Sequence, residues 1–360
     1  MNHCRNIYHI LSLLLLSTLI GACTSENEGK TVDPNYEKIG YYGKVKSVKS
    51  TLYYMNKDSV WASQSDYNFK EFDQEGRLTS EGIRSNNNIT RSKCQYQYDE
   101  NGKRSGYSFS QQLGGSYNGT YKYDPETGLL MEELCMSRKT NDNFDAKSDE
   151  KLAHEESVSK KETYVYDSKN NLVEKHCYQN QDKKPSYQKY AYAYDEQNRV
   201  IEEITFIKES KTEPDSKKSY KYDSKGRVIE EIEERLLSKL DSSPEKVRIS
   251  RRYDRKGNIV EETREEKGQR HTTSYTYTYK AGKIIEETRI TSEGEKRITE
   301  HEDNGNTTVT NYENGKVVMK AITKRDKYGN LEEIMEYHLN ESNGKLEPQY
   351  LLLYEIEYYE

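Results

Sequence analysis

Apolar and polar residues alternate along most of this chain, in short segments separated by Asp, Asn and Gly. The clearest copy runs from Tyr220 to Glu231, where Tyr-Lys-Tyr-Asp leads into Ser-Lys-Gly and then Arg-Val-Ile-Glu-Glu. A period of two is typical of strands that pack one face. Asp followed three residues later by Gly favours a type I turn that ends in left-handed backbone. The segment therefore predicts a β-hairpin with Gly226 as its left-handed residue.

The same pattern returns many times, and such self-similarity indicates a repeat architecture. The turn residues predicted from the best copies are Asp167, Asn170, Asp195, Asn198, Asp223, Gly226, Asp254 and Gly257. Asn replaces Gly in two copies because it tolerates left-handed backbone better than most residues. We predict an all-β fold over residues 38–360, a repeat meander of antiparallel β-hairpins that forms an open twisted sheet, shell or solenoid. The short turns should lie at one edge and the longer polar connections at the other.

The turn also predicts which residues face each other within a hairpin. In the copy around Gly226, we expect Tyr222 opposite Val228 and Tyr220 opposite Glu230, with Ile232 on the same face as the tyrosines. This tyrosine face is the more apolar and should be packed, whereas the other face should set opposite charges across neighbouring strands. Residues 137–162 are nearly all charged or small, and we predict that they form a mobile insertion.

These Tyr-Asp segments resemble the repeats of the YD-repeat, or RHS-repeat, family. The resemblance covers residues 65–335 and is closest over 164–290, and Gly43 to Val48 resembles the leading strand of small bacterial YD-repeat lipoproteins. Large members of the family wind such hairpins into a shell around a toxin. The Arg-Phe and Asp-Pro elements of their core motif are absent after Gly128, so the resemblance implies neither an autocleavage site nor a toxin domain here.

The N-terminus has the features of a secretory signal. Arg5 precedes an apolar run from Ile10 to Ile20, which is shorter than the roughly 20 residues needed to span a bilayer. The run ends in Gly-Ala-Cys, which resembles a bacterial lipobox and implies cleavage between Ala22 and Cys23 and acylation of Cys23. We predict a lipoprotein signal peptide at 1–22, a lipidated flexible tether at 23–37, and an outer-membrane location by lipid anchor. The periplasmic and cell-surface faces are both left open.

Composition narrows the class of function. The chain has 33 Tyr against 5 Phe and 1 Trp, and only 32% of its residues are hydrophobic, below the roughly 45–50% usual for globular domains. This favours a thin β-structure over an enzyme with a large buried interior. The formal net charge of −6 is small, and the sequence has no basic stripe, so we predict no nucleic-acid partner.

The chain also lacks a recognisable set of catalytic or metal-binding residues. Paired glutamates such as Glu230 and Glu231 point to opposite faces of a strand, so they cannot act together on one substrate. We predict no catalytic residue, no metal site and no cofactor. Cys135 and Cys177 should lie two strands apart, about 9.5 Å, beyond the roughly 7 Å that a disulfide spans between Cα atoms, so we predict that they are not bonded to each other.

Two functions are compatible with these features. The first is a lipid-anchored cell-envelope repeat protein that acts as a non-catalytic binding or scaffold module, with a protein or glycan as its ligand. The alternative is an accessory protein that packages or neutralises a secreted effector.

Overall fold

A computed structural model describes residues 41–56, 60–112, 115–138, 156–181, 184–207, 214–235 and 245–360. The predicted signal peptide, Cys23 and the tether lie outside these ranges. Within the described ranges the secondary structure consists of 23 strands: β1 Val45–Met55, β2 Trp61–Ser63, β3 Asp66–Phe72, β4 Leu78–Ser85, β5 Thr90–Tyr98, β6 Arg104–Gln111, β7 Ser116–Tyr123, β8 Leu130–Arg138, β9 Glu156–Tyr166, β10 Leu172–Gln181, β11 Lys184–Tyr194, β12 Val200–Phe206, β13 Ser216–Tyr222, β14 Val228–Arg235, β15 Glu245–Tyr253, β16 Ile259–Glu266, β17 Gln269–Lys280, β18 Lys283–Thr291, β19 Lys296–His301, β20 Thr307–Glu313, β21 Lys316–Arg325, β22 Leu331–Asn340 and β23 Lys345–Tyr358.

The strands form one antiparallel sheet that closes on itself. From β3 to β23 each strand pairs with the next along the chain, and β1 completes the ring because Val48 lies opposite both Lys70 of β3 and Ile356 of β23. The short β2 pairs with the far end of β1 and stands outside the ring. The described residues thus form a closed barrel of 22 strands. The all-β meander is confirmed, but the expected open sheet is wrong, because the closing contact joins opposite ends of the chain and no local pattern predicts it.

The barrel has two different rims. At the turn rim, consecutive strands are joined by the short connections that include 167–171, 195–199, 223–227 and 254–258, whereas the loop rim carries the remaining connections. Both ends of the described chain reach the turn rim, where the backbone N–H of Tyr359 donates to the carbonyl of Lys44 at 2.8 Å. Of the predicted insertion at 137–162, residues 137–138 end β8 and residues 156–162 belong to β9, and residues 139–155 lie outside the described part of the chain.

A β-bulge after each predicted turn changes the expected register. Tyr222 lies opposite Val228 as predicted, but Tyr220 lies opposite Glu231 rather than Glu230, because Ile229 is an extra residue in β14. A bulge of one residue exchanges the faces of everything beyond it. Ile232 therefore lies opposite Ser219, on the face away from the tyrosines, and Glu231 joins the tyrosine face.

The tyrosine face is the inner face of the barrel. Side chains converge inside a closed sheet and diverge outside it, so the inner face is the more buried one. The inner face holds three clusters of buried residues, centred on Leu78, on Tyr107 and on Tyr164. On the opposite, outer face, Lys122 and Lys221 keep about 70% of their side-chain surface exposed.

Candidate functional site

Each predicted turn is closed by its first Asp. Oδ1 of Asp223 accepts the backbone N–H groups of Lys225 and Arg227 at 2.8 and 3.0 Å, and Oδ2 accepts Nε of Arg227 at 2.6 Å. These bonds, the one from the Arg227 side chain first, lower the pKa of Asp223 to about 2. Asp167, Asp195 and Asp254 occupy the same position and accept the equivalent backbone N–H groups. These residues therefore build the turn, and their carboxylates are already occupied.

The fourth residue of each turn has left-handed backbone. The φ angles are 65° at Asn170, 58° at Asn198, 80° at Gly226 and 98° at Gly257. At Gly226 an added Cβ would meet only the end of the Arg199 side chain, at 3.9 Å. The demand for glycine there comes from the backbone angle and not from lack of space.

In many of the repeats a tyrosine hydroxyl links the hairpin to the one before it. Tyr222, directly before Asp223, donates to the carbonyl of Val200 at 2.6 Å. The pairing between β12 and β13 begins at Glu202 and Ser219, so the Val200 carbonyl lies outside that ladder. The Tyr222 hydroxyl therefore supplies the hydrogen bond that β13 does not give it. We call this contact the tyrosine latch. It recurs at Tyr98, Tyr123, Tyr166, Tyr194 and Tyr253.

The latch explains why the repeat uses tyrosine and not phenylalanine. The ring packs on the inner face, while the hydroxyl bonds the backbone of the neighbouring hairpin. The arginine that directly follows a turn packs on the latch tyrosine of the next hairpin. The Arg227 guanidinium lies 4.5 Å from the centre of the Tyr253 ring, and the Arg199 guanidinium lies at the same distance from the Tyr222 ring. The tyrosines of the inner face thus have a structural role between repeats.

The outer face carries ion pairs across neighbouring strands, which we call the outer ladder. Its members are distributed around the ring: Lys49–Glu355, Lys122–Glu132, Lys161–Glu132, Lys189–Glu174, Lys221–Glu230, Arg252–Glu261 and Lys324–Glu333, with N–O distances of 2.6 to 3.0 Å. The cations keep 30–70% of their side-chain surface exposed, and ion pairs open to solvent add only about 0.2–1 kcal/mol each. Glu132 lies on this face and its neighbour Glu133 on the inner face, which confirms that adjacent glutamates point to opposite faces of the strand.

The inner face of β8, β9 and β10 holds the densest group of ionisable side chains, which we call the inner cluster. At its centre Glu162 is only 4% exposed. Its carboxylate receives Lys160 Nζ at 3.0 Å, Lys175 Nζ at 3.1 Å, the Tyr164 hydroxyl at 2.8 Å and Cys177 Sγ at 3.2 Å.

Glu133 completes the inner cluster from β8. It lies directly opposite Glu162 in the ladder, so the two carboxyl side chains share the inner face. Burial favours the neutral form of Glu162, but the two lysines and the hydrogen bonds outweigh it and lower the pKa to about 2. Burial, opposed by Lys160 and reinforced by the charge of Glu162, raises the pKa of Glu133. Burial and Glu162 also raise the pKa of Cys177 to about 12, which keeps it a thiol.

Two carboxyl groups with opposite pKa shifts are also the pattern of an acid–base pair. In this barrel, however, the Glu162 carboxylate is already engaged by Lys160, Lys175, Tyr164 and Cys177. Among the described residues, no group of three His, Cys, Asp or Glu side chains is arranged to hold a metal ion.

Reasoning from the sequence missed the inner cluster. Lys160 and Glu162 fell inside the predicted mobile insertion, although β9 begins at Glu156 and places them on the inner face. The alternation of Lys160, Glu162 and Tyr164 was the signal available. It was obscured because the charged residues before it resemble those of a polar loop.

The three cysteines of the described chain are buried and outside disulfides. Cys135 lies opposite Lys160 and Cys177 lies opposite Glu162, with β9 between their strands. This is the two-strand separation that the spacing predicted, and Cys135 and Cys177 are not bonded to each other.

A shallow groove lies at the loop rim between β15 and β17. Its cations are paired with carboxylates, since Lys246 contacts Glu234 and Lys267 contacts Glu245, both at 2.8 Å. The groove therefore offers no concentrated positive charge for an anion.

The part of the chain that the structure describes contains no helix that is long and apolar enough to cross a membrane.

Comparison with known proteins gives remote structural likeness and no family. No protein-family model matches the chain, and no curated protein matches it. Among solved structures, TcdB2-TccC3-TEV is 13% identical over 81% of this chain and 17% of that chain, with a TM-score of 0.39. A porin-like protein from Bacteroides uniformis ATCC 8492 is 10% identical over 88% of this chain and 98% of that chain, with a TM-score of 0.27.

A porin-like protein from Bacteroides vulgatus ATCC 8482 is 8% identical over 70% of this chain and 94% of that chain, with a TM-score of 0.26. The chain spans less than a fifth of the length of the TcdB2-TccC3-TEV chain that it matches. At these TM-scores the likeness assigns neither fold nor function, so the barrel rests on its own strand pairing.

Proposed function

We propose that this protein is a lipid-anchored envelope protein whose barrel stands outside the bilayer and acts as a non-catalytic binding or scaffold module. The observation that carries the proposal is the outer ladder, because charged pairs surround the barrel where a membrane-spanning barrel needs an apolar band. A single Lys or Arg on the lipid face at mid-depth costs about 2–4 kcal/mol. A barrel with this outer face needs a separate anchor, which the lipobox at Cys23 would supply.

The arrangement of the inner face supports a non-catalytic role. Its Glu162 carboxylate is buried and engaged by Tyr164 and two lysines, and the repeated tyrosines and aspartates are engaged in latches and turns. Binding would then fall to the loop rim, whose connections differ in length and sequence from repeat to repeat, whereas most connections at the turn rim have five residues. A protein or glycan is the expected ligand class.

The anchor and the barrel can be tested separately in cells. We would insert a specific protease site after Glu28 of the full chain and treat isolated membranes with the protease. Release of the barrel into buffer without detergent is expected, whereas retention in the membrane would show that the barrel is inserted and would overturn the proposal. A Cys23→Ala variant, labelled with palmitate beside the wild type, should take up no label.

Protease shaving of intact cells would then assign the face of the membrane. Digestion while a periplasmic marker survives would support a surface-exposed binding module, and glycans and proteins would be screened against the loop rim. Protection until the outer membrane is opened would contradict a role at the cell surface and favour a periplasmic scaffold.

Closure of the barrel favours a second candidate, the accessory protein that packages or neutralises a secreted effector. A closed wall with a polar and aromatic inner face is suited to enclosing another chain, which an open sheet is not. Recovery of the neighbouring gene's product with the tagged full-length protein, in a protease-protected form, would support this candidate. Recovery in a protease-sensitive form, or no recovery, would contradict it.

A further inference from the structure

Glu133 and Glu162 place two carboxyl groups opposite each other on the inner face of the barrel. They are direct partners in the ladder between β8 and β9, and Glu162 is only 4% exposed. Two ionised carboxylates at one buried site repel each other, and each offers acceptors only. A single proton held by the pair would relieve that repulsion.

The surrounding donors decide which carboxyl group holds that proton. Lys160, Lys175, Tyr164 and Cys177 all contact Glu162, and each of these contacts favours its ionised form. The proton accordingly rests on Glu133, which agrees with the raised pKa of Glu133 and the lowered pKa of Glu162.

We propose that Glu133 and Glu162 share one proton and make the wall formed by β8, β9 and β10 a pH-sensitive element, tight while Glu133 is protonated and loosened when it ionises. Ionisation leaves two negative charges opposite each other on neighbouring strands, an arrangement that destabilises a sheet. The titratable groups facing Glu133 come from every adjoining strand: Tyr107 of β6, Tyr121 of β7, Lys160, Glu162 and Tyr164 of β9, and Lys175 of β10.

The direction of the pH effect follows from the two carboxyl groups. Because the folded pKa of Glu133 is raised, its contribution to stability is complete below its ordinary pKa of 4.5 and is lost as the pH rises through the raised value. Glu162 acts in the opposite sense, since its pKa of about 2 means that its contribution is present above 4.5 and is lost only as the pH falls toward 2. The wall is therefore tightest in mild acid and loosens toward neutral and basic pH.

Hydrogen exchange of the full-length protein at pH 5 and pH 8 tests this directly. In the wild type, amide protection in β8 and β9 should fall with pH, by up to about tenfold for each unit by which the Glu133 pKa exceeds its ordinary value. Glu133→Gln keeps the shape and mimics the protonated acid, so protection in this variant should change far less. Glu132→Gln is the matched control, because Glu132 is the next residue on the same strand but faces outward, and its profile should follow the wild type.

A second variant separates proton sharing from simple loss of a contact. Glu162→Gln leaves Lys160 and Lys175 without their carboxylate, so protection of β9 and β10 should fall at both pH values. If wild type and Glu133→Gln show the same pH dependence, or if Glu162→Gln and not Glu133→Gln abolishes it, the proposed sharing is wrong. Thermal unfolding of each variant at pH 5 would confirm that the barrel has folded before exchange is compared.

Discussion

Leu78 and Val228 occupy the same position in two copies of the repeat, directly after the turn and opposite the aromatic residue that precedes it. Leu78 is 1% exposed, whereas Val228 is half-buried. The difference extends to the two halves of the barrel, because the buried apolar residues of the described chain lie before residue 178 with the single exception of Val247. The turns repeat around the ring and the latches extend from Tyr98 to Tyr253, but dense packing occurs only from β1 to β10. The repeat therefore specifies the hairpin, and the residues between its fixed positions decide how much core each hairpin forms.

The largest expected effect comes from removing a buried core side chain in the packed half of the barrel. Leu78→Ala deletes a fully buried side chain and should cost about 2–5 kcal/mol of local stability, measured by hydrogen exchange in β3 and β4. Val228→Ala at the equivalent position should cost about 1 kcal/mol in β13 and β14, because its site is already partly wet. Equal losses at the two positions would mean that the halves do not differ in packing.

The turn offers a test that should give a similar result in both halves. Gly226→Val forces a β-branched residue into left-handed backbone and should destabilise its hairpin by about 1–2 kcal/mol. Lys225→Val, one residue earlier in the same turn, is the control and should have little effect. A silent Gly226→Val in exchange measurements of β13 and β14 would contradict the assigned role of the turn.

The latch can be broken without disturbing the ring that carries it. Tyr222→Phe removes one hydroxyl and leaves the Val200 carbonyl without that donor, at a cost of about 0.5–1.5 kcal/mol. Exchange should increase between β12 and β13 and not elsewhere. Tyr54→Phe, at an exposed tyrosine, should change nothing, and an equal response in the two variants would show that the latch has no specific role.

The outer ladder should give the smallest effect. Lys221→Gln removes an exposed partner of Glu230 and should cost less than about 1 kcal/mol at low salt. The difference from the wild type should shrink in 1 M salt, because the Debye length of about 3 Å is then close to the separation of the two charges. A large loss that persists in high salt would contradict the solvent-facing assignment on which the proposed function depends.

Local features of this fold could be predicted from the sequence, whereas contacts between distant segments could not. The Asp223 to Gly226 pattern specifies a turn because its hydrogen bonds join residues within one short segment. The bulge at Ile229 has no such local signature, so the predicted faces of Glu231 and Ile232 were exchanged. The inner cluster was missed because Glu133 and Glu162 come from different hairpins, with residues 139–155 between their strands.

Closure depends even less on local sequence, since β1 meets β23 only when every intervening hairpin has curved the sheet by the right amount. Composition predicted a thin β-structure with little core for the chain as a whole. It did not show that most of the buried apolar residues lie in the first half.

The meeting of both chain ends at the turn rim bears on how the ring changes size in evolution. Any duplication or loss of one hairpin adds or removes two strands, so the first and last strands still arrive antiparallel and side by side. The circumference can therefore change in steps of two strands while the seam between Lys44 and Tyr359 stays the same. Relatives of this protein are expected to differ in repeat number, and to preserve the residues of the seam more strictly than the number of hairpins that it joins.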